Sequence, residues 1–269
     1  MALKVLHVSA TDRAGGAARA ALRLHLASRA QGIDSHMLVA EAAEPGPHVH
    51  APLKGGRRIA QALRRAVAAR LAARQVTPTN PVLHSLARLS SGLGRWIERS
   101  DFDVVNLHWV AGETLSLAEI GRIGKPLVWT MHDMWPFSGA EHYDDLDHPG
   151  RWRAGYTAAN RPAGYGGPDL DRATWARKRR AWAGQRFHLV SPSRWLGDCA
   201  RDSALLGHHP CSVIPNTLDM AVFRPLDRQL ARQMLNLDPG RRYVLFGAMS
   251  STSDARKGFA LLQPALQAL

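Results

Sequence analysis

The chain has 269 residues, of which 45% are hydrophobic and 21% are charged, and this composition argues against intrinsic disorder. No apolar run approaches the ~18 residues that a membrane-spanning helix needs, and no cleavable leader precedes the first strand, so we expect a cytoplasmic protein. Two cysteines are too few for a disulfide framework, and the formal net charge of +13 concerns association rather than fold, with no nucleic-acid partner expected.

The first predicted strand is followed by a pair of glycines. Leu3 to Val8 predicts a strand, and an alanine-rich helical pattern closed by Gly32 begins directly after Gly15 and Gly16. Glycine has no Cβ, so backbone amides come close to a ligand there, and the start of the helix offers unpaired N–H groups to a phosphate. The pattern therefore predicts a phosphate-binding turn, although a purely structural glycine turn fits the residues nearly as well.

A basic amphipathic helix is predicted from Arg57 to Arg74, after a second strand at His36 to Val39. Its apolar residues recur every four positions at Ile59, Leu63, Val67 and Leu71. This stripe either packs on the domain or lies on an anionic lipid surface, and the sequence leaves both alternatives open. The next helix is predicted from Leu83 to Arg99.

Two strands in the middle of the chain end in polar and aromatic residues. Asp103 to Leu107 leads into His108 and Trp109, and Leu127 to Met131 leads into a dense polar segment. The candidates in that segment are His132, Asp133, Trp135, Glu141, His142 and Tyr143. Between the strands, Ser116 to Glu119 has the spacing of a capping box. Ligands bind outside the carboxyl ends of parallel strands, so we expect the main site here.

The later part of the chain continues the alternation of strands and helices. Residues 144–171 have little periodicity and indicate a loop that covers a site. The elements predicted after it are a helix from Trp175 to Trp182, a strand from Phe187 to Val190, a helix capped by Ser193 that runs to Leu206, and a strand from Ser212 to Ile214 that leads to Asn216.

Together these elements predict an α/β fold with a Rossmann-like, predominantly parallel sheet and helices on both faces. The strand-end residues then collect along one edge of the sheet. We predict a first domain over residues 1–218, a linker over 219–240 and the incomplete start of a second domain over 241–269. That start comprises a strand from Tyr243 to Phe246 and a helix from Phe259 to Leu269, and one such unit cannot bury a core of its own.

Seven sequence blocks carry a wider pattern. They are Val5 to Val8, Gly15 to Arg19, Asp103 to Trp109, Val128 to Phe137, Pro192 to Leu196, Val213 to Asn216, and Phe246 to Ala248 with Arg256 to Phe259. In this order they resemble family 4 glycosyltransferases of the GT-B fold. The resemblance implies two Rossmann-like domains facing a cleft, a nucleotide-sugar donor and a glycan or lipid-linked acceptor in polysaccharide biosynthesis. It also implies retention of anomeric configuration, with neither a metal nor another cofactor.

The resemblance also assigns roles to residues. It implies that Gly15 and Gly16 lie at the donor's phosphates and transferred sugar, and that His132 acts near the reacting carbon. Lys257, with Arg256 beside it, would neutralise the leaving diphosphate, since fixed cations lower the barrier to a step that develops negative charge. The other residues expected to bind donor or substrate are Arg19, His108, Asp133, Trp135, Glu141, His142, Tyr143 and Asn216.

Two departures from the family pattern limit the expected activity. Ala248 follows Gly247 where many relatives have an arginine, and the chain lacks the family's pair of glutamates seven residues apart. We therefore expect the isolated chain to transfer no sugar at a useful rate.

Two other functions stay open. The protein could be a nucleotide- or sugar-binding remnant without catalysis. It could also be a metal-dependent hydrolase, with ligands drawn from His108, His132, Asp133, Glu141 and His142.

Overall fold

The computed structural model describes residues 2–76, 82–144, 150–162, 165, 167–248, 252 and 254–268. The chain divides into two compact units, Met1–Asp219 and Met220–Leu269.

A parallel sheet organises the first unit. Among the described residues its strands are β1 (Lys4–Thr11), β2 (Asp34–Glu41), β3 (Val49–His50), β4 (Val104–Leu107), β5 (Leu127–Thr130), β6 (Phe187–Ser191) and β7 (Cys211–Val213). They lie in the order β3-β2-β1-β4-β5-β6-β7, with parallel pairing throughout. This confirms the predicted α/β fold with a Rossmann-like sheet. The strand order reverses between β1 and β4, which is where such sheets open a ligand crevice beyond the strand ends.

Helices cover both faces of this sheet. They are α1 (Gly15–Ala30), α2 (Gly56–Ala72), α3 (Leu93–Glu98), α4 (Leu117–Ile120), α5 (Arg151–Ala154), α6 (Leu170–Ala181) and α7 (Arg194–Arg201). Ala21 of α1 packs with Met37 and Val39 of β2, whereas the intervening Leu38 belongs to the large hydrophobic cluster on the other face. This alternation follows from the two-residue period of a strand, and burial on both faces explains why the strands are almost continuously apolar.

The boundaries of two helices differ from the prediction. Helix α6 begins at Leu170, five residues earlier than predicted, because Asp169 caps it by accepting from the N–H of Arg172 at 3.0 Å. Helix α7 ends at Arg201 rather than Leu206, although Ser193 caps its start as predicted. Both differences lie at helix ends, where capping contacts decide the boundary.

The capping box predicted at Ser116 to Glu119 is confirmed. The Ser116 side chain accepts from the N–H of Glu119, and the Glu119 carboxylate accepts from the N–H of Ser116 at 2.9 Å. The same carboxylate accepts from the N–H groups of Ser91, Gly92 and Gly94 at the start of α3. Burial alone would raise the pKa of Glu119, but these donors hold it below its ordinary value. One buried carboxylate thus closes the starts of two helices.

The helix predicted from Leu83 to Arg99 is wrong over its first half. In this stretch only Leu93–Glu98 is helical, and residues 82–92 form an irregular segment that includes an isolated bridge between His84 and Glu141. The N–H of Ser85 donates to a distant carbonyl, that of Ala140, at 2.7 Å. The backbone groups of this segment find partners elsewhere in the fold, so long-range bonding overrides the local helical spacing.

Helix α2 turns most of its apolar stripe away from the domain, although Leu71 at its end packs against a buried cluster that contains Leu86 and Ala140. The stripe residues Ile59, Leu63 and Val67 are 65%, 62% and 50% exposed. The inward face is polar instead, since buried Gln61 donates to the carbonyl oxygen of Glu113 at 2.8 Å and Arg65 donates to that of Gly112 at 3.1 Å. For these three stripe residues, the alternative in which the stripe packs on the domain is therefore wrong. None of the helices in the described ranges is both long and apolar enough to cross a membrane.

The second unit contains α8 (Arg228–Met234) and α9 (Phe259–Gln267), with a 3₁₀ turn at Ala255–Lys257 between them. The strand predicted from Tyr243 to Phe246 is wrong, because these residues have no regular structure and Leu245 is 97% exposed. A strand needs a neighbour to accept its backbone bonds, and the described residues of this unit offer none.

Candidate active site at the carboxyl edge of the sheet

Three histidines from adjacent strands form a hydrogen-bonded chain. His7 lies within β1, His108 directly follows β4, and His132 lies two residues beyond β5. Nδ1 of His7 is 3.1 Å from Nε2 of His108, and Nδ1 of His108 is 3.0 Å from Nε2 of His132. The rings of His108 and His132 stack with centroids 5.3 Å apart. The parallel pairing of β1, β4 and β5 therefore leads imidazoles from the interior of the sheet to its rim.

Burial keeps these three imidazoles neutral. It lowers the pKa of His7 to about 3, with a smaller contribution from the charge of His25. Burial lowers the pKa of His132 to about 4 against the attraction of Asp133, and it lowers the pKa of His108 well below its usual range. Each ring therefore offers one N–H donor and one lone pair at neutral pH. His132 is the partly exposed member of the chain, and its Nδ1 has no partner among the described residues.

Asp133 organises the segment that follows β5. Its Oδ2 accepts from the indole N–H of Trp109 at 3.0 Å and lies 2.6 Å from Nδ1 of His142, while its Oδ1 accepts from the backbone N–H of Trp135 at 3.0 Å. Nε2 of His142 in turn lies 2.8 Å from Oγ of Ser85. Burial alone would raise the pKa of Asp133, but His142 and the N–H donors hold it below its ordinary value. The residue that follows His132 in the sequence therefore carries an ionised carboxylate that is held in place by hydrogen bonds.

Lys178, which lies on α6, holds the segment that follows β5. Its buried ammonium group donates to the carbonyl oxygens of Trp135, Ser138 and Gly139, the last two at 3.1 and 2.7 Å. The nitrogen also lies 4.1 Å from the ring centroid of Trp135. Burial lowers the pKa of Lys178 to about 7, against the attraction of nearby carboxylates. Three carbonyls and one ring thus tie the turn after β5 to a helix.

Glu141 belongs to a buried acid pair. It accepts a hydrogen bond from the hydroxyl of Tyr156 and lies beside the carboxyl of Asp171. Burial and the Asp171 charge together raise the pKa of Glu141 well above its ordinary value. Burial would also raise the pKa of Asp171, but its hydrogen bonds to His84 and Glu141 hold it low. The pair is therefore uneven, since its surroundings favour the protonated form of Glu141 and the ionised form of Asp171.

Five of the predicted contact residues are interior. Those that are only 3%, 8%, 2%, 8% and 0% exposed are His108, Asp133, Trp135, Glu141 and His142, and most of their polar atoms bond within the protein. They support the segment that carries His132 rather than lining its surface.

The remaining candidates of the first unit are more accessible. Gly15 and Gly16 open α1 beyond the end of β1, and Gly15 has a φ of 88°, a conformation that favours glycine. Arg19 on α1 and Asn216 beyond β7 are exposed, and Tyr143 is half-buried. All lie beyond the carboxyl end of a strand, as His108 and His132 do.

Two predicted phosphate contacts belong to the second unit. Arg256 forms an ion pair with Asp254 at 2.7 Å, and Lys257 is exposed at the end of the 3₁₀ turn. Their roles stay predictions.

The metal-hydrolase alternative gains no support from the geometry. Within the described ranges no group of three or more His, Cys, Asp or Glu side chains is arranged to hold a metal ion. His142 instead bonds Asp133 and Ser85, and His108 bonds two other imidazoles.

Sequence reasoning missed three residues that shape the site, namely His7, Asn106 and Lys178. A polar side chain inside an apolar strand, as at His7 in β1 and Asn106 in β4, is a signal that would have found the first two. Lys178 gave no such signal, since it stands in a run of basic residues typical of a solvated helix face.

Comparison with known proteins agrees with this architecture. The family model described as Glycosyltransferase Family 4 matches residues 14–222, which is more than half of the chain. A search of curated proteins finds no match. The matched range includes α1, every strand from β2 to β7, and both His108 and His132. With a parallel Rossmann-like sheet and this match over most of it, the chain belongs to glycosyltransferase family 4.

Proposed function

We propose that the protein transfers a sugar from a nucleotide-sugar donor to a glycan or lipid-linked acceptor, with retention of configuration and no metal cofactor. In this proposal His132 contacts the transferring sugar near the reacting carbon. Gly15 and Gly16 receive the donor's phosphates, and Arg256 and Lys257 neutralise the leaving diphosphate.

The placement of His132 is the observation that carries this proposal. The ring is partly exposed at the rim, its Nε2 is engaged by His108, and its Nδ1 has no partner among the described residues. A neutral imidazole held in this way can exchange a hydrogen bond with a sugar hydroxyl without reorganising. The negative charge of Asp133, one residue on, also suits a reacting carbon that becomes positive as the bond to the leaving group breaks.

The start of α1 supports the phosphate assignment. An Ala substituted at Gly15 or Gly16 would place its Cβ within 4 Å of no other atom, so this turn has open space in front of it. The first N–H groups of a helix have no intrahelical acceptor and carry a partial positive charge, which suits a diphosphate.

Turnover with a substituted His132 tests the proposal. Because these 269 residues alone are expected to transfer no sugar at a useful rate, turnover is measured with an enzyme that joins them to a complete donor-binding domain. This enzyme is incubated with UDP-, GDP- and ADP-sugars and a glycan or lipid extract, and released nucleotide is measured by mass spectrometry. We expect His132→Ala to lower turnover on the order of 10²-fold while donor affinity changes little. His188→Ala is the matched control, because His188 is an exposed histidine on β6. Equal turnover in both variants would exclude His132 from the reaction, and donor binding without turnover in the wild type would favour a binding remnant.

We further propose that α2 lies peripherally on the anionic inner face of a membrane. The helix exposes Ile59, Leu63 and Val67, and exposed arginines flank this stripe at positions 57, 58 and 70. Apolar side chains that enter the lipid, next to cations at the head groups, are typical of interfacial helices. Such a contact would bring a lipid-linked acceptor to the domain.

Vesicle binding tests this contact. We expect the protein to sediment with phosphatidylglycerol vesicles and not with phosphatidylcholine vesicles, and Leu63→Ser to weaken that binding. Leu26→Ser is the matched control, because Leu26 is 55% exposed but lies on α1. Equal binding of the two variants would exclude the α2 stripe from the contact.

A further inference from the structure

Asn106 stands where the histidine chain begins. Its Oδ1 accepts from the backbone N–H of Thr130 at 3.3 Å and from the Thr130 hydroxyl at 3.0 Å. A backbone N–H can only donate, so the amide oxygen must face Thr130. The amide nitrogen then faces His7, where Nδ2 lies 3.4 Å from Nδ1. Since Nδ2 carries only hydrogens, Nδ1 of His7 is an acceptor and the ring proton is on Nε2.

The position of the proton on His7 determines the positions of the protons on His108 and His132. If Nδ1 of His7 accepts, then Nε2 of His108, 3.1 Å away, carries a proton and donates it. A neutral ring has one N–H, so Nδ1 of His108 is then an acceptor of the hydrogen bond that the Nε2–H of His132 donates at 3.0 Å. Nδ1 of His132, at the outer end, is left with a lone pair.

We infer that Asn106, acting through His7 and His108, fixes His132 in the tautomer that has its proton on Nε2 and a lone pair on Nδ1. The three inner residues are positioning residues, since none of them reaches the rim. His7, Asn106 and His108 are 2%, 6% and 3% exposed.

The opposite direction of the hydrogen bonds along the three histidines is disfavoured at the buried end, next to Asn106. It would place a proton on Nδ1 of His7, which would donate to Nε2 of His108, so that the amide N–H of Asn106 would face a donor and lose its acceptor. Burial prevents water from relieving that conflict, and unpaired buried donors are costly. Nε2 of His7 lacks a partner among the described residues in both arrangements, as an N–H in the inferred one and as a lone pair in the reversed one. The inferred arrangement therefore leaves one buried group unpaired at this end, at His7, whereas the reversed one leaves two, at His7 and Asn106.

The tautomer sets which contact His132 makes with a sugar. A lone pair on Nδ1 accepts a hydrogen bond from a hydroxyl of the transferring sugar, whereas an N–H there would need an acceptor oxygen. This consequence rests on the proposed function, but the tautomer itself does not. The site would therefore select sugars that present a hydroxyl hydrogen to His132.

The ring nitrogens report the tautomer directly. Protein labelled with ¹⁵N in its histidine rings is studied at neutral pH by long-range proton–nitrogen correlation, with the His132 signals assigned by their loss in His132→Asn. We expect the chemical shift of an unprotonated nitrogen at Nδ1 and of a protonated one at Nε2. A proton on Nδ1 of His132 in the wild type would overturn the inference, and this measurement needs no folded variant.

The nearly isosteric Asn106→Asp tests the cause. A carboxylate keeps the bonds to Thr130 but can only accept from His7, so His7 must donate from Nδ1 and the whole chain reverses. We expect the two His132 nitrogens to exchange their shifts while those of exposed His188 on β6 stay unchanged. An unchanged His132 tautomer in a folded Asn106→Asp protein would show that Asn106 does not fix it.

Kinetics separate this inference from the proposed function. In an enzyme that joins these residues to a complete donor-binding domain, we expect Asn106→Asp to lower kcat on the order of 10²-fold with little change in the KM for the donor. Asn236→Asp, at an exposed position of the second unit, is the control for one added negative charge. A protein without transferase activity but with the expected tautomer would refute only the proposed function. Normal kcat in a tautomer-reversed Asn106→Asp protein would refute the catalytic role of the tautomer.

Discussion

Mild acid should destabilise this protein through its buried histidines. His7, His108 and His132 are neutral in the folded state, because burial lowers the pKa of each below the ordinary value of 6.5. In the unfolded chain the same rings bind protons as the pH falls through about 6.5. Between that pH and the folded pKa values, the unfolded state binds more protons, so the free energy of unfolding decreases with falling pH.

The size of the effect follows from these values. Each ring that is protonated only when unfolded contributes a slope of about 1.4 kcal/mol per pH unit. For His132, with a folded pKa of about 4, the loss between neutral pH and pH ~5 is about 2 kcal/mol, and His7, with a folded pKa of about 3, loses a similar amount. Glu141 acts in the opposite sense, because its raised folded pKa stabilises the protein as the pH falls. Comparing the wild type with a variant that lacks one histidine isolates the contribution of that histidine to the pH dependence of the free energy of unfolding.

Urea unfolding at several pH values between about 7 and 5 measures the slope. We expect His7→Asn to be less stable than the wild type but to show a mean slope over this range that is smaller by about 1 kcal/mol per pH unit, since one titrating group is gone. His188→Asn, which removes an exposed histidine, should leave the slope unchanged. Identical slopes for the wild type and His7→Asn would refute the reasoning, because His7 would then be no more neutral when folded than when unfolded.

Three substitutions test other parts of the structure. Gly121→Ala should lower the free energy of unfolding by about 1–3 kcal/mol or more, since the new Cβ would overlap the carbonyl oxygen of Ala181 on α6; full stability in a thermal melt would contradict that packing. Gly16→Ala should raise stability by up to about 1 kcal/mol, because Gly16 is helical and has open space around it, yet weaken binding of UDP in a titration; unchanged binding would remove Gly16 from the phosphate site. Glu119→Gln should cost about 2–4 kcal/mol in urea unfolding, since its NH₂ group would face N–H donors at the start of α3 or α4; a cost under about 0.5 kcal/mol would show that the shared cap matters little.

Strong local patterns predicted the frame of the first unit well. The β-branched and apolar runs at β1, β4 and β5 and the capping box at Ser116 are signals contained within a few residues. Parallel pairing then followed from the alternation of strands and helices, and it placed His108 and His132 at one edge before their contact was known.

The failures share a physical cause, which is dependence on partners far along the chain. Residues 82–92 have helical spacing, but the backbone of Leu83 and Ser85 bonds the segment after β5, and the N–H groups of Ser91 and Gly92 bond Glu119. Helix α2 has a clear apolar stripe, yet Gln61 and Arg65 bond the turn near Glu113 and hold the opposite face inward. Tyr243 to Phe246 has strand composition, but the described part of the second unit contains no strand beside it. No local pattern contains that information.

The anchoring of the turn after β5 has a consequence for ligand binding that concerns entropy. Lys178 donates to three carbonyls of this turn, and Asp133 bonds the N–H of Trp135 at its start and the ring of His142 at its end. The backbone of the turn is therefore ordered by folding rather than by the ligand. A loop that had to freeze on binding would lose about 1–2 kcal/mol per residue of conformational entropy from the affinity. A rigid turn avoids that loss but cannot reshape itself around a different sugar. At this part of the rim, the range of accepted sugars is therefore expected to be narrow.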